Sequence, residues 1–505
     1  MLVESSRRIT MTHQPIVTVS RRFAVCFTIT ISVAFFCPAA NSAAPFAIQG
    51  PCVNSNDFRI TTFATGLDFP LGMANLSDGS LLVAVSHGAD YFNSTGAVIR
   101  LTDTNNVGIA DDCGTELYTN LPGSLTDLRA AGSLVLVAGL GKPITILRAG
   151  ASPSDPLTLV GQIIFHYPNP AWEHTNSSLG IRNTLGQTNS YDLIFQVGSE
   201  SNFAATVDTV ILTNNNVPGA NATLCGDSLY MLTITDDGTN VTVTNIAQLA
   251  NGLRNPAGTA FSPATGDLYL LDNGIDGLTN ANLPFSADEL NFIARTNIAV
   301  VTEFFGFPTN YTAYRTGTMV GGAGVQPLFA FQPSPDPLTG QESTGANNLR
   351  FAPTGFPDGL NRGVLLGFHG QLYFGGTNNL KNPVIYADPV AGTYFHFIEG
   401  SQPGIGHLDG LLTTCDSLFL ADLVSNGNLG NGTGVGVIYQ IKSLVSSTPP
   451  TLDLQTLESQ ITLTWGLGTL QAADEVTGNW CDVTDAFSPY TVATAAPCKF
   501  YRLRY

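Results

Sequence analysis

The sequence predicts an all-β protein: a six-bladed β-propeller followed by a small β-sandwich-like module. Three observations predict it. The composition is rich in turn formers and poor in charge, one strand pattern recurs six times, and the composition changes near residue 446. The chain has 505 residues, of which 44% are hydrophobic and only 11% charged, with 52 glycines and 29 prolines. Turns need Gly, Asn, Asp and Pro, so this balance suits many short strands joined by turns. A helical bundle would want more Glu, Lys, Arg and Ala. The hydrophobic share can fill a large core, and a closed propeller can run this long as one domain.

Taken in order, the first element is an export signal. Arg21 and Arg22 precede an apolar run from Phe23 to Phe36, and small residues follow, ending in Ser42-Ala43-Ala44. A positive start, a short apolar stretch and an A-x-A-like site mark a secretory signal peptide, expected here over residues 1–44. The run is shorter than the roughly 20 residues a spanning helix needs, and no later stretch could span a membrane. The protein is therefore expected to be secreted or periplasmic. Cys26 and Cys37 would leave with the signal, while Cys52, Cys113, Cys225, Cys415, Cys481 and Cys498 remain. An even count in an exported chain predicts disulfides. Cys481 with Cys498 is the expected pair, because both lie in one short C-terminal module; the other pairings stay open. There is no C-x-x-C and no histidine at ligand spacing, so these cysteines do not read as a zinc site.

Residues 45–445 carry the repeat. A turn residue and a polar residue lead into an apolar strand that ends in Gly or a polar residue. The copies are Asp78–Gly88, Ala131–Gly141, Ser190–Glu200, Thr265–Gly274, Asn361–Gly370 and Cys415–Leu423. Their mean spacing is about 67 residues, enough for a four-stranded blade and a long loop. Radial closure of six such hairpins leaves few exposed sheet edges. Long irregular loops between regular strands point to loops recruited for function. Around Ser446–Thr451 the sequence SSTPPT reads as a linker. Ile461–Trp465, Gly478–Val483 and Lys499–Tyr505 then alternate as half-buried strands, so residues 446–505 are expected to be a linker and a small β module.

The formal net charge of −18 excludes some partners. Binding nucleic acid needs a basic face that releases counterions from phosphates, and Lys plus Arg total only 20. An anionic membrane surface is discounted on the same ground. No G-x-S-x-G elbow, H-E-x-x-H, Walker loop or dinucleotide fingerprint occurs.

The most informative segment is GLRNPAGTAFSPATGDLYLLDNG, Gly252–Gly274, followed by ADELNFI at Ala287–Ile293. It closely resembles the soluble glucose/sorbosone dehydrogenase family, PQQ-dependent six-bladed propellers in which an R-N-P segment leads into a G-x-L-Y strand, a loop and D-E-(I/L)-N. A weaker likeness runs from about Ile60 to Ile441, including Gly66–Ala74, His407–Leu411 and Val437–Ile441. The resemblance implies oxidation of a sugar hydroxyl to a lactone, with hydride passing to PQQ and then to an external electron acceptor. It implies that His174, in Glu173–Ile181, is the catalytic base; histidine suits this role because its pKa lies near neutrality. It implies that Arg254 and Asn255 contact the quinone, where a guanidinium can stabilise developing charge. It implies calcium beside Asn273, Gly274 and Ile275, with Asp288 and Glu289 nearby, since oxygen ligands suit a hard cation. His369, in GFHG, falls at a strand end where a central site is expected.

The chain also departs from the family. Where an acidic residue usually follows the strand after the catalytic histidine, it reads VGSES, which puts Glu200 one position out of register for orienting His174. Ala257 replaces a glutamine seen in some members. Around Gly404–Gly410 there is His407 but no arginine to grip the three carboxylates of PQQ, and Lys381 is the only obvious substitute. Weakly neutralised carboxylates bind poorly. The alternative to an enzyme is therefore a non-enzymatic extracellular propeller that binds a glycan or protein partner.

Overall fold

The six copies of the repeated pattern are six strands: Leu81–His87, Leu134–Gly139, Ser190–Val197, Leu268–Asp272, Val364–Phe368 and Ser417–Asp422. The structure, a computed structural model, describes residues 44–275, 286–332, 345–370, 384–400, 402, 404–445, 450–457, 460–477, 480–483, 486–493 and 499–504. The predicted signal up to residue 43, Lys381 and Cys498 lie outside the described residues.

Each of these strands is the second of a sheet. The first strands are Met73–Asn75, Leu125–Ala131, Leu179–Asn183, Pro256–Phe261, Ala346–Phe351 and Gly410–Thr413. They pack each against the next in chain order, and the last packs against the first. The sixth sheet is completed from the other end of the chain. Phe58–Leu67 pairs antiparallel with Gly436–Ser443, with Phe58 opposite Ser443 and Leu67 opposite Gly436. The second sheet gains Thr209–Asn215 and Ala222–Cys225 as outer strands.

The second strands read as nearly continuous apolar runs because both faces are covered. Successive side chains on a strand point to opposite faces. Leu193 accordingly joins Leu136 and Ile146 of the preceding sheet, whereas Ile194 joins Leu268 and Leu270 of the following one. Leu271 in turn packs with Leu366 and Ile385 of the fifth sheet. The core is thus a series of layers between neighbouring sheets.

A polar lace ties several first strands together. Buried Asp127 accepts from the Leu179 backbone N–H at 2.9 Å and meets Arg129 at 3.1 Å and Arg350 at 3.8 Å. Arg129 donates onward to the carbonyls of Leu179 (2.8 Å) and Thr259 (3.2 Å). Burial and the neighbouring Arg129 hold the Arg350 pKa down to about 9.

After the main body come two three-stranded sheets, Asp453–Leu457 with Gln460–Thr464 and Tyr490–Ala493, and Cys481–Asp482 with Thr469–Ala473 and Phe500–Arg504. Leu463, Trp465 and Leu470 form their core. They touch the fourth sheet: Ser488 N–H donates to the Ala264 carbonyl, and the Arg295 guanidinium lies over the Phe487 ring. Cys52, Cys113, Cys225, Cys415 and Cys481 are exposed free thiols, so the predicted disulfides do not form among these five. Among the described residues no helix is long and apolar enough to cross a membrane.

Candidate active site

The starts of the six first strands surround a cavity of about 190 Å³. Leu71, Thr126, Ser177, Asn255, Asn347 and Asp409 line it from the six strands or the residues just before them, and His174, His369, Glu173, Tyr91 and Phe92 are among the rest of its wall. The structure therefore brings together His174, Asn255 and His369, which lie far apart in the sequence.

His174 sits on the loop before Leu179–Asn183, and that loop is firmly held. Tyr167 donates to the Asn176 side-chain oxygen at 2.9 Å, Asn176 donates to the Lys142 carbonyl at 2.8 Å, and Trp172 donates to the Gly198 carbonyl at 3.1 Å. Gly198 is needed here: a Cβ would lie 2.7 Å from His174 Cβ and 2.9 Å from the Arg254 carbonyl. The ring is oriented by Ser199, whose Oγ lies 2.8 Å from Nδ1. That hydroxyl donates its own proton to the Ser201 carbonyl at 2.8 Å, so it accepts from Nδ1–H. The proton is thus on Nδ1, and Nε2 carries a lone pair with no partner among the described residues. Burial, and then the Arg254 charge, lower the ring's pKa to about 3, so it is neutral at pH 7. Glu200 does not orient the ring; it accepts instead from Asn169 at 2.8 Å.

His369 donates from Nδ1 to Asp409 at 2.7 Å. Asp409 is 0% exposed and also accepts from Asn347 at 3.1 Å, while its Oδ1 and His369 Nε2 have no partner among the described residues. The His407 ring stacks on that of His369, with centroids 4.2 Å apart and planes 2° apart. Its Nδ1 donates to the His369 carbonyl at 2.6 Å, and burial, then His369, hold its pKa down to about 4. A neutral His407 lets two imidazoles stack without like-charge repulsion. Behind them, buried Asp422 accepts from the backbone of Gly406 and His407, and burial pushes its pKa up to about 7. Asp409 and Asn347 were not singled out from the sequence; the HLDG run, in which Asp409 sits two residues after His407, was a signal for the first, and the one-residue register offset in VGSES was a signal for Ser199.

Arg254 is placed differently from the expectation. It lines a separate cavity of about 20 Å³ with Asn273, Gly274, Ile275, Glu289 and Asn310. Its guanidinium donates to Asn202 Oδ1 (2.9 and 2.6 Å) and to the Asn273 carbonyl (3.2 Å), which makes it an organiser of this loop. The Asn273 carbonyl, expected to face calcium, is therefore already engaged. The side-chain oxygens of Asn273 and Asn310 are buried without partners among the described residues, and burial raises the pKa of nearby Glu289. Oxygen donors suit calcium, and the space admits one small occupant. Among the described residues no group of three or more His, Cys, Asp or Glu is disposed to hold a metal.

The described lining of the central cavity does not fit PQQ. Three carboxylates need cationic partners. Among the described residues the lining contains no lysine or arginine, and it presents Glu173 and the buried Asp409 instead. The candidate substitute, Lys381, lies outside the described residues.

No family model matches the chain, and no curated protein matches it. Solved structures do. The calcium structure of a Trichoderma reesei carbohydrate-active enzyme of family AA12 superposes with a TM-score of 0.50 at 15% identity, covering 80% of this chain and 99% of that one. The PQQ-bound aldose sugar dehydrogenase of Streptomyces coelicolor gives 0.45 at 17% identity, covering 76% and 98%. The soluble aldose sugar dehydrogenase of Escherichia coli in its apo form gives 0.44 at 14% identity, covering 76% and 99%. At these identities the likeness is one of fold. The AA12 superposition shows a shared all-β fold, and the resemblance expected from the R-N-P segment is met at that level alone.

Proposed function

We propose that the chain is an exported sugar-binding protein on a six-bladed propeller, its ligand held in the central cavity with a hydroxyl on Nε2 of His174. The closed order of six first strands supports six blades over residues 45–445. Residues 1–44 are read as an export signal and 446–505 as a linker and small module.

One observation carries the ligand assignment. Three polar groups meet in the cavity with hydrogen-bonding capacity to spare among the described residues: His174 Nε2, the Asp409 carboxylate and the Asn255 side chain. Sugar hydroxyls both donate and accept, so neighbouring hydroxyls can serve a lone pair, a carboxylate and an amide at once. Buried groups left unpaired make such a site reject ligands that lack the hydroxyls. A ring with its pKa near 3 accepts a hydrogen bond readily but takes a proton weakly at neutral pH.

Calorimetric titration with a panel of neutral aldoses tests this reading. At least one is expected to bind, and His174→Ala and Asp409→Asn are expected to weaken it at least tenfold. Absence of binding across the panel would sink it.

A second reading, a sugar oxidoreductase, is supported by the fold and by the His174 tautomer, which presents a lone pair where a hydroxyl proton would be taken. Asn255 and His369 would face its substrate or cofactor, with calcium at the second cavity on the Asn273 and Asn310 side-chain oxygens, Arg254 bracing the loop, and electrons leaving to an external acceptor. It requires a hydride acceptor that the described lining does not grip. Incubation with PQQ and calcium, followed by dye reduction with the same aldoses, separates the two. Dye reduction that depends on both additions establishes the oxidoreductase, and binding without dye reduction supports the first reading.

A further inference from the structure

Another cavity lies away from the central one, where the main body meets the C-terminal sheets. It measures about 560 Å³, within the range of small-molecule sites. Tyr269 and Phe351 contribute from the main body and Trp465 and Leu467 from the C-terminal part, with Pro263 and Pro389 between them. Tyr269 and Phe351 meet edge to face, with centroids 5.2 Å apart. The Trp465 indole is fixed by donation to the Gly468 carbonyl at 3.2 Å.

Against these apolar walls stand two cations. Arg362 and Arg504 line the cavity, and no aspartate or glutamate is among its described lining residues. Each guanidinium is steered by one carboxylate from outside the lining: Asp388 at 3.1 Å from Arg362 Nε, and Asp482 at 2.7 Å from Arg504 Nη2. Both terminal nitrogens of Arg362 and Nη1 of Arg504 remain without a partner among the described residues. With side chains 53% and 59% exposed, both can turn toward a ligand. A further group points the same way: Asn361 is 94% buried and lines the cavity, yet its amide has no hydrogen-bond partner among the described residues. In a chain with net charge −18 and 20 basic residues, two arginines with donors to spare among the described residues, both lining one aromatic cleft, mark it for an anion.

We infer that this cleft binds an aromatic carboxylate, its ring between Tyr269, Phe351 and Trp465 and its carboxylate on Arg362, Arg504 and the Asn361 amide. Guanidinium and carboxylate match as donor fork and acceptor pair, and the aromatic walls take the ring.

The exposed thiol of Cys415 lies in the same lining and supplies a local readout. The probe is 2-naphthoate, with uncharged 2-naphthalenemethanol as its counterpart, added to the full mature chain. Alkylation at each cysteine is followed by peptide mass mapping, and affinity by calorimetry. Naphthoate is expected to slow alkylation at Cys415 at least fivefold while leaving Cys52, Cys113 and Cys225 unchanged. It is expected to bind at least tenfold more tightly than the alcohol, and R362Q and R504Q are expected each to weaken it severalfold. Equal affinity of the two probes, no binding at millimolar naphthoate, or slowing at all cysteines alike would each overturn the inference. The comparison of acid with alcohol uses the unmodified chain, so it decides the matter even where an arginine variant fails to fold.

Discussion

The ring of His174 is set by a hydroxyl that cannot donate to it. Ser199 gives its proton to the Ser201 carbonyl and so accepts from Nδ1, which turns the lone pair of Nε2 outward. Ser199→Ala removes the shorter of the two acceptors and leaves the Ser199 carbonyl at 3.2 Å. A neutral hydrogen bond contributes about 1 kcal/mol net, so sugar affinity is expected to fall by roughly fivefold, measured by calorimetry. Ser199→Thr, which keeps the hydroxyl, is expected to restore most of it. At Asp409 the expectation has the opposite sign for an anionic ligand. Asp409→Asn removes a buried negative charge from the lining and is expected to raise the affinity for PQQ severalfold, read by fluorescence titration, while weakening the grip on His369. Unchanged PQQ affinity would show that the carboxylate is not what disfavours the cofactor.

Among the elements, the first strands carry both the packing and the polar lace. Asp127 helps join the second sheet to the third and, through Arg129 and Arg350, to the fourth and fifth. Removing one partner of a buried ion pair leaves uncompensated charge and costs about 3–5 kcal/mol. Asp127→Ala is therefore expected to lower unfolding free energy by that order in urea denaturation, although it is not part of the central cavity's lining. Gly72 shows the same closeness in backbone terms: a Cβ there would stand 2.3 Å from the Leu128 backbone nitrogen. Overpacking of this kind costs about 1–3 kcal/mol, so Gly72→Ala is expected to lower the melting temperature by loosening the first sheet from the second.

At the scale of the molecule, buried titratable groups limit stability from both sides. His174 and His407 are held to about 3 and 4 in the fold, against 6.5 unfolded. The unfolded chain thus binds more protons between these values, and their contribution, whole above pH 6.5, is lost as pH falls toward 3. Asp272 and Asp422 are raised to about 7 from 3.8. Their contribution is whole below pH 3.8 and is lost as pH rises through 7. Thermal melts across pH 4–9 are expected to peak in the mildly acidic range. Asp422→Asn, which cannot ionise, is expected to flatten the alkaline limb; an unaltered limb would assign the loss to other groups.

What the sequence by itself determined was the strand grammar. A strand covered on both faces is apolar along most of its length, and that local rule made all six second strands visible as copies of one pattern. The resemblance pointed to His174 and Asn255, and the strand end at GFHG pointed to His369. What only the tertiary structure decided was company. Ser199, rather than the acidic Glu200 beside it, meets His174, while Glu200 accepts from Asn169. Arg254 adjoins Asn255 in sequence yet serves another cavity, since neighbouring residues point to opposite sides of the chain. Asp409 came to lie against His369 only through packing of the fifth and sixth sheets. The aromatic cleft draws on strands more than 200 residues apart, a distance no local pattern spans.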